Sequence, residues 1–150
     1  MARSYASGIV AAPVDDVWRL VRRFDGLPEW HPFVETCDMV DGADPAAVGA
    51  HRRQRLANGG VARARLAGLD DEHRSLVYEM LDGPWPVRNY LATIRVFPIT
   101  TTGDTFVEWS GRYDADAAVE PELAHDFGVA TYDAGVRALQ EWFATTRPKA

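Results

Sequence analysis

From Val34 onward the apolar residues of this chain recur with a period of two, in one short segment after another. A helix repeats its apolar face about every 3.6 residues, whereas a strand buries alternate side chains. Residues 34–41, 48–57, 61–69, 74–82, 89–98 and 105–114 each read as a strand of this kind. Between them lie Gly42/Pro45, Asn58-Gly59-Gly60, Asp70-Asp71, Gly83-Pro84 and Gly103-Asp104, residues that favour turns. Connections this short cannot cross over a sheet, so an antiparallel meander is expected.

Helical patterns flank the meander. Residues 3–11 read as a first strand, and Pro13 then sits where the first residue of a helix belongs, with Asp15 and Asp16 in its first turn. Val14, Val17, Trp18 and Val21 recur at helical spacing, with Arg19, Arg22 and Arg23 on the other face. Gly26 and Pro28 stop that helix, and a short turn from Leu27 to His31 follows. Pro121 and Glu122 open a long closing helix to about Thr145. Its expected buried stripe is Leu123, Phe127, Thr131, Ala134, Ala138 and Trp142, widened by Leu139 and Phe143. The predicted class is α+β: a seven-stranded antiparallel sheet curled around a long C-terminal helix, with two short helices after the first strand. One helix cannot fully plug so curled a sheet, so a cavity between the two is expected.

Composition agrees with a single domain over residues 1–150. A chain of this length buries roughly 68–70% of its unfolded surface and needs no staples. Hydrophobic residues at 47% and charged residues at 25% are ordinary for a globule. The net charge of −6 argues against a general nucleic-acid binder. A lone cysteine, Cys37, excludes an internal disulfide and fits a reducing cytoplasm. No run of about eighteen uncharged apolar residues exists to span a membrane. The stretch Ile9 to Val14 is broken by Pro13 and too short for a secretory leader. A cytoplasmic monomer or homodimer is therefore expected. The five Trp are many for this length and suggest enclosure of something. Lys149 is the sole lysine, so the arginine excess as a whole is most simply a codon bias.

Strand parity selects the side chains that face inward. Val107, Trp109, Gly111 and Tyr113 alternate with Phe106, Glu108, Ser110 and Arg112, and the first set must face the core. Tyr90, Ala92, Ile94 and Val96 do so in the preceding strand, and Leu76, Tyr78 and Met80 in the one before. Parity in the strand from Val34 is ambiguous, with Cys37 and Met39 the favoured inward set. A three-residue loop at Asn58-Gly59-Gly60 would pair Arg55 with Arg63 and Arg53 with Arg65 on an outer face. Four facing guanidinium groups are tolerable only in water. Arg52 and Gln54 then point inward, opposite Leu66 and Ala64. An inward arginine needs a partner: an internal carboxylate, the solvent at the rim, or an anionic or carbonyl oxygen of a ligand.

Motifs for catalysis are missing. Gly59-Gly60 is hairpin chemistry, not a phosphate loop. His31, His51, His73 and His125 lack metal-ligand spacing, so neither a metal nor another cofactor is expected. No Gly-x-Ser-x-Gly elbow occurs, and Glu79 and Glu108 fall on the outer face, so no carboxylate pair is placed for acid–base work. Among the aromatics, Trp18 and Trp142 read as core. Trp30, Trp85, Trp109, Tyr78, Tyr90 and Tyr113 are the better pocket candidates, because Tyr and Trp keep a polar handle.

The stretch Ala12-Pro13-Val14-Asp15-Asp16-Val17-Trp18, with Phe24 and Leu27-Pro28-Glu29-Trp30-His31-Pro32, resembles the opening of the START-like (SRPBCC) superfamily. The branch it is most similar to is that of bacterial polyketide cyclase/dehydrase-like and lipid-transport proteins. Gly49, Arg52, Tyr78, Asn89-Tyr90 and Trp109 continue the resemblance over almost the whole chain. It implies a helix-grip fold around a hydrophobic ligand cavity. Val87-Arg88-Asn89-Tyr90 also resembles the latch-loop region of plant abscisic acid receptors. Here Pro84-Trp85-Pro86 stands where a latch histidine is expected, and Asn58-Gly59-Gly60 replaces the proline-bearing gate. Those departures count against a hormone-receptor role. Ala64 replaces a glutamate carried by many bacterial members, which leaves Arg52 without that partner.

Three functions follow as expectations. The first is binding of a small hydrophobic ligand (aromatic, acyl or lipid-like), with Arg52, Gln54 and Tyr78 orienting its polar end. Trp30, Trp85, Tyr90, Trp109, Tyr113, Phe127 and Thr131 would complete the wall. The second is a polyketide aromatase/cyclase working by substrate templating. The third is a protein contact through Arg53, Arg55, Arg63 and Arg65.

Overall fold

The computed structural model describes residues 1–146. Strand β1 (Ala2–Val10) leads into α1 (Val14–Val21) and α2 (Leu27–Trp30). Six strands follow: β2 (Val34–Met39), β3 (His51–Leu56), β4 (Val61–Asp70), β5 (Ser75–Asp82), β6 (Arg88–Pro98) and β7 (Thr105–Asp114). All seven form one antiparallel sheet in the order β1-β7-β6-β5-β4-β3-β2. The meander closes with β1 laid against β7, opposite to the end at β2.

Local chemistry explains the boundaries. Pro13 caps α1 from outside with extended backbone, one position earlier than expected, and Asp15 and Asp16 occupy the first turn. Leu27 to Trp30 winds into a short helix with Pro28 in its first turn, where a missing N–H costs nothing. Strand β2 stops at Met39 because Asp41 adopts a left-handed backbone. The strand expected from residue 48 starts at His51, after Gly49 at φ 98°.

The β3–β4 register differs from expectation. Arg55 lies opposite Val61, Arg53 opposite Arg63 and Arg52 opposite Ala64. The turn keeps its expected three residues but sits one residue earlier, at Ala57-Asn58-Gly59: Leu56 N–H reaches the Gly60 carbonyl and Gly59 N–H the Leu56 carbonyl, with Gly59 in left-handed backbone at φ 88°. The slip is two residues, so the inward set is unchanged. On the outer face only Arg53 and Arg63 remain directly opposed. Arg63 meets Asp82 at 3.5 Å and Arg65 is paired with Glu79, so two of the four arginines are neutralised there.

The closing helix departs more deeply. It runs as α3 (Glu120–Leu123), a π-helical stretch (Ala124–Asp133) and α4 (Ala134–Thr146). The wider turn inserts one residue into the buried stripe, which becomes Leu123, Phe127, Tyr132, Val136 and Leu139. Thr131, Ala134 and Ala138, expected to be inward, are only half-buried. Two glycines allow the resulting close approaches: a Cβ on Gly111 would lie 2.0 Å from the Tyr132 hydroxyl, and one on Gly135 2.4 Å from the Trp109 ring.

Candidate functional site

A cavity of about 50 Å³ lies between the inner sheet face, α2 and the first half of the closing helix. Strand β3 contributes Arg52, Gln54 and Leu56, and β4 contributes only Ala62 and Ala64, whose small side chains leave the room. Tyr78 and Met80 of β5, Tyr90 of β6 and Trp109 of β7 continue the wall. Trp85, Phe127 and Thr131 close it on the helix side, and Leu27, His31, Phe33 and Val34 at the α2 end. Of the residues singled out in the sequence, Trp30 and Tyr113 lie one layer back. Trp30 packs on His31 and Trp109, and Tyr113 on Tyr90 and Phe127.

The apolar end is organised around Phe127, whose ring centroid is 5.0 Å from Tyr90, 5.0 Å from Tyr113 and 5.1 Å from Trp85. Trp85 is half-buried on the β5–β6 loop. That loop touches the β3–β4 turn, since a Cβ on Gly60 would stand 3.1 Å from Pro84 Cγ. The two turns thus meet beside the cavity. The cavity is smaller than the roughly 300–1,000 Å³ of a typical drug-sized ligand pocket. Phe33, Met80, Trp85 and Thr131 are the half-buried residues of its wall.

The other end is polar and positive. Arg52 is buried, donates from Nη1 to the Phe24 carbonyl at 2.8 Å and lies with its guanidinium carbon 4.1 Å from the Phe24 ring and 4.8 Å from the Tyr78 ring. Among the described residues no carboxylate lines the cavity, so two of the expected partners, an internal acid and the solvent rim, are not used. Burial pulls the Arg52 pKa below its ordinary value. Its Nε and the Nε2 of Gln54 are buried without a hydrogen-bond partner, as is Nε1 of Trp30.

Phenols bridge the two ends. Trp109 Nε1 donates to the Tyr78 hydroxyl at 3.1 Å, and the Tyr90 and Tyr132 hydroxyls share a hydrogen bond. Burial raises the pKa of Tyr78, and raises Tyr90 and Tyr132 strongly, so all three stay protonated at neutral pH. Tyr132 was hidden from sequence reading because the π-helical turn, and not the α period, brings it inward.

His31 holds the α2 end in place. Nδ1 accepts from the Phe33 N–H at 3.1 Å, which leaves Nε2 to donate to the Thr131 carbonyl at 2.8 Å. Burial lowers its pKa, and the nearby positive Arg52 adds to this, so the ring is neutral. The carbonyl it grips belongs to the π-helical stretch. In the sequence His31 stood out only as part of the Leu27–Pro32 motif, which carries no sign of this positioning role.

A helix-grip sheet with an aromatic cavity has known counterparts. Residues 1–143 match the family described as polyketide cyclase / dehydrase and lipid transport. The chain belongs to that family. A solved protein of this fold from Thermobifida fusca is 32% identical, with a TM-score of 0.87 over 100% of this chain and 98% of its own. Abscisic acid receptor PYL2 of Arabidopsis thaliana is 31% identical over 90 residues, 58% of this chain and 46% of the receptor. Abscisic acid receptor PYL7 of the same plant is 37% identical over 92 residues, 59% of this chain and 42% of the receptor. The matches thus span about half the length of these relatives. No helix among the described residues is long and apolar enough to cross a membrane.

Proposed function

We propose that this family member binds a small, largely apolar ligand in the cavity between β3–β7 and the closing helix. The observation that carries the reading is the aromatic wall around Phe127, facing a pole of buried donors with no partners of their own. A core built only for stability pairs its polar groups or omits them. Trp85, Tyr90, Trp109, Phe127 and Thr131 form the wall, and Arg52, Gln54 and Tyr78 orient the ligand; Trp30 and Tyr113 support them from behind. The abscisic acid receptors lend the reading an analogy for small-ligand binding, over the matched half. A cyclase working by acid–base chemistry finds less support, because no carboxylate of the described residues reaches the cavity and the phenols titrate above neutral pH. The free Cys37 fits a cytoplasmic setting.

Native mass spectrometry of the purified chain, followed by solvent extraction, tests the reading. A small molecule co-purifying with the folded protein, or saturable shifts of Trp85 and Trp109 indole signals on adding naphthalene derivatives, is the expected result. A ligand-free protein whose indole signals do not move would overturn it.

A further inference from the structure

Arg52 and Gln54 stand two residues apart on β3, so both face the cavity from the same side of the strand. Arg52 is 4% exposed and Gln54 6%. Arg52 spends one donor on the Phe24 carbonyl, and its Nε has no partner. Gln54 Nε2 has none either. Around them stand Leu56, Ala62, Ala64 and the neutral phenols of Tyr78 and Tyr90, and no acidic side chain of the described residues lines the space. The ring faces of Phe24 and Tyr78 ease the guanidinium charge without neutralising it.

Resting on the reading that the cavity holds a ligand, we propose that the ligand is a carboxylic acid, bound as its carboxylate by Arg52 and Gln54. A neutral carbonyl would satisfy the free N–H groups but leave the buried charge uncompensated. A carboxylate does both, and its two oxygens accept from two donors at once. A phosphate monoester carries close to two negative charges, and one buried arginine among apolar walls would leave the excess unmatched. The rest of the ligand must be apolar, as Trp85 and Phe127 at the far side require.

The test compares 1-naphthaleneacetic acid with its methyl ester, titrated into the full chain at neutral pH by calorimetry and Trp fluorescence. The two probes share the ring and differ in charge. The acid should bind about tenfold or more tightly than the ester. Arg52→Met should shrink that ratio to below about threefold, and Gln54→Leu should reduce it in part. Equal affinities in the unaltered protein, a comparison that needs no variant to fold, would overturn the proposal and leave the cavity reading standing. An acid preference that survives Arg52→Met would also overturn it. Failure of both probes to bind would instead remove the cavity reading beneath it.

Discussion

Gly111→Ala is the sharpest probe of how the closing helix meets the sheet. A Cβ at residue 111 would lie 2.0 Å from the Tyr132 hydroxyl and 2.9 Å from its Cζ. Tyr132 cannot step aside freely, being fully buried, stacked on Trp109 at 5.3 Å and hydrogen-bonded to Tyr90. Overpacking of this kind costs about 1–3 kcal/mol. Displacing the hydroxyl leaves Tyr90 unsatisfied at about 1–3 kcal/mol more. Replacing a strand glycine returns about 0.5–1 kcal/mol. The net loss should be about 1–5 kcal/mol, a fall in Tm on the order of 2–20 °C for this size. Tyr132→Phe removes the closest atom, so the cost of Gly111→Ala should be smaller in that background by about 1–2 kcal/mol. Urea and thermal unfolding of the four proteins in this cycle measure both numbers. Were the helix regular beyond Phe127, Thr131 would take the inward place and its short side chain would leave space for a methyl group. A Gly111→Ala protein as stable as the parent, with no coupling to Tyr132→Phe, would refute the π-helical register.

Three further outcomes are expected. Trp85→Ala should speed the uptake of an apolar probe severalfold in stopped-flow fluorescence, because Trp85 is the half-buried wall residue on the loop that contacts Gly60; an unchanged rate would place the route elsewhere. Burial holds the His31 pKa below the 6.5 of the unfolded chain, so the unfolded state takes up a proton first as pH falls. Stability should therefore decline below about pH 6.5 and level off once native His31 protonates, and unfolding curves of His31→Gln should lack that step. His73 beside Asp70 is shifted the opposite way, so His73→Asn is the background in which to measure it. Arg52→Met should cost no more than about 1–2 kcal/mol, because orphaning the Phe24 carbonyl is offset by removal of an unpaired buried charge, in place of the roughly 3–5 kcal/mol loss typical of breaking a buried ion pair; a loss of that larger size would mean that Arg52 has an acidic partner.

Strand parity carried most of the site. Alternation in β5, β6 and β7 placed Tyr78, Tyr90 and Trp109 inward because a sheet with one buried face permits only one parity. It placed Arg52 and Gln54 correctly even though the β3–β4 pairing slipped, since a slip of two residues preserves the face. The slip itself was not legible: the turn is built on Ala57-Asn58-Gly59, one residue earlier than the paired glycines suggest, because Gly59 and not Gly60 takes the left-handed position. The helix was misread for a different reason. Its α period is satisfied by Thr131, Ala134 and Ala138, but the sheet offers two hollows, at Gly111 and under the Trp109 ring, that Tyr132 and Gly135 fill better. Tertiary fit overrode the local repeat there. Outer-face arginines were overcounted because their partners, Asp82 and Glu79, come from a strand that pairs with β4 and not with β3.

The two departures from local rules fall on one site. The π-helical stretch lies along the cavity, supplies Phe127 and Thr131 to it and is gripped by His31 through the Thr131 carbonyl. Arg52, the buried charge without an acid, lines the same space. Both features work against stability: π-helical turns are rare, and an unpaired guanidinium is costly to bury. A chain selected only to fold would replace Arg52 with an apolar residue, and the small Ala62 and Ala64 opposite β3 leave room for one. That the two costs coincide around one aromatic-walled cavity, and not at separate places in the core, is why the cavity is read as a binding site and not as a packing defect.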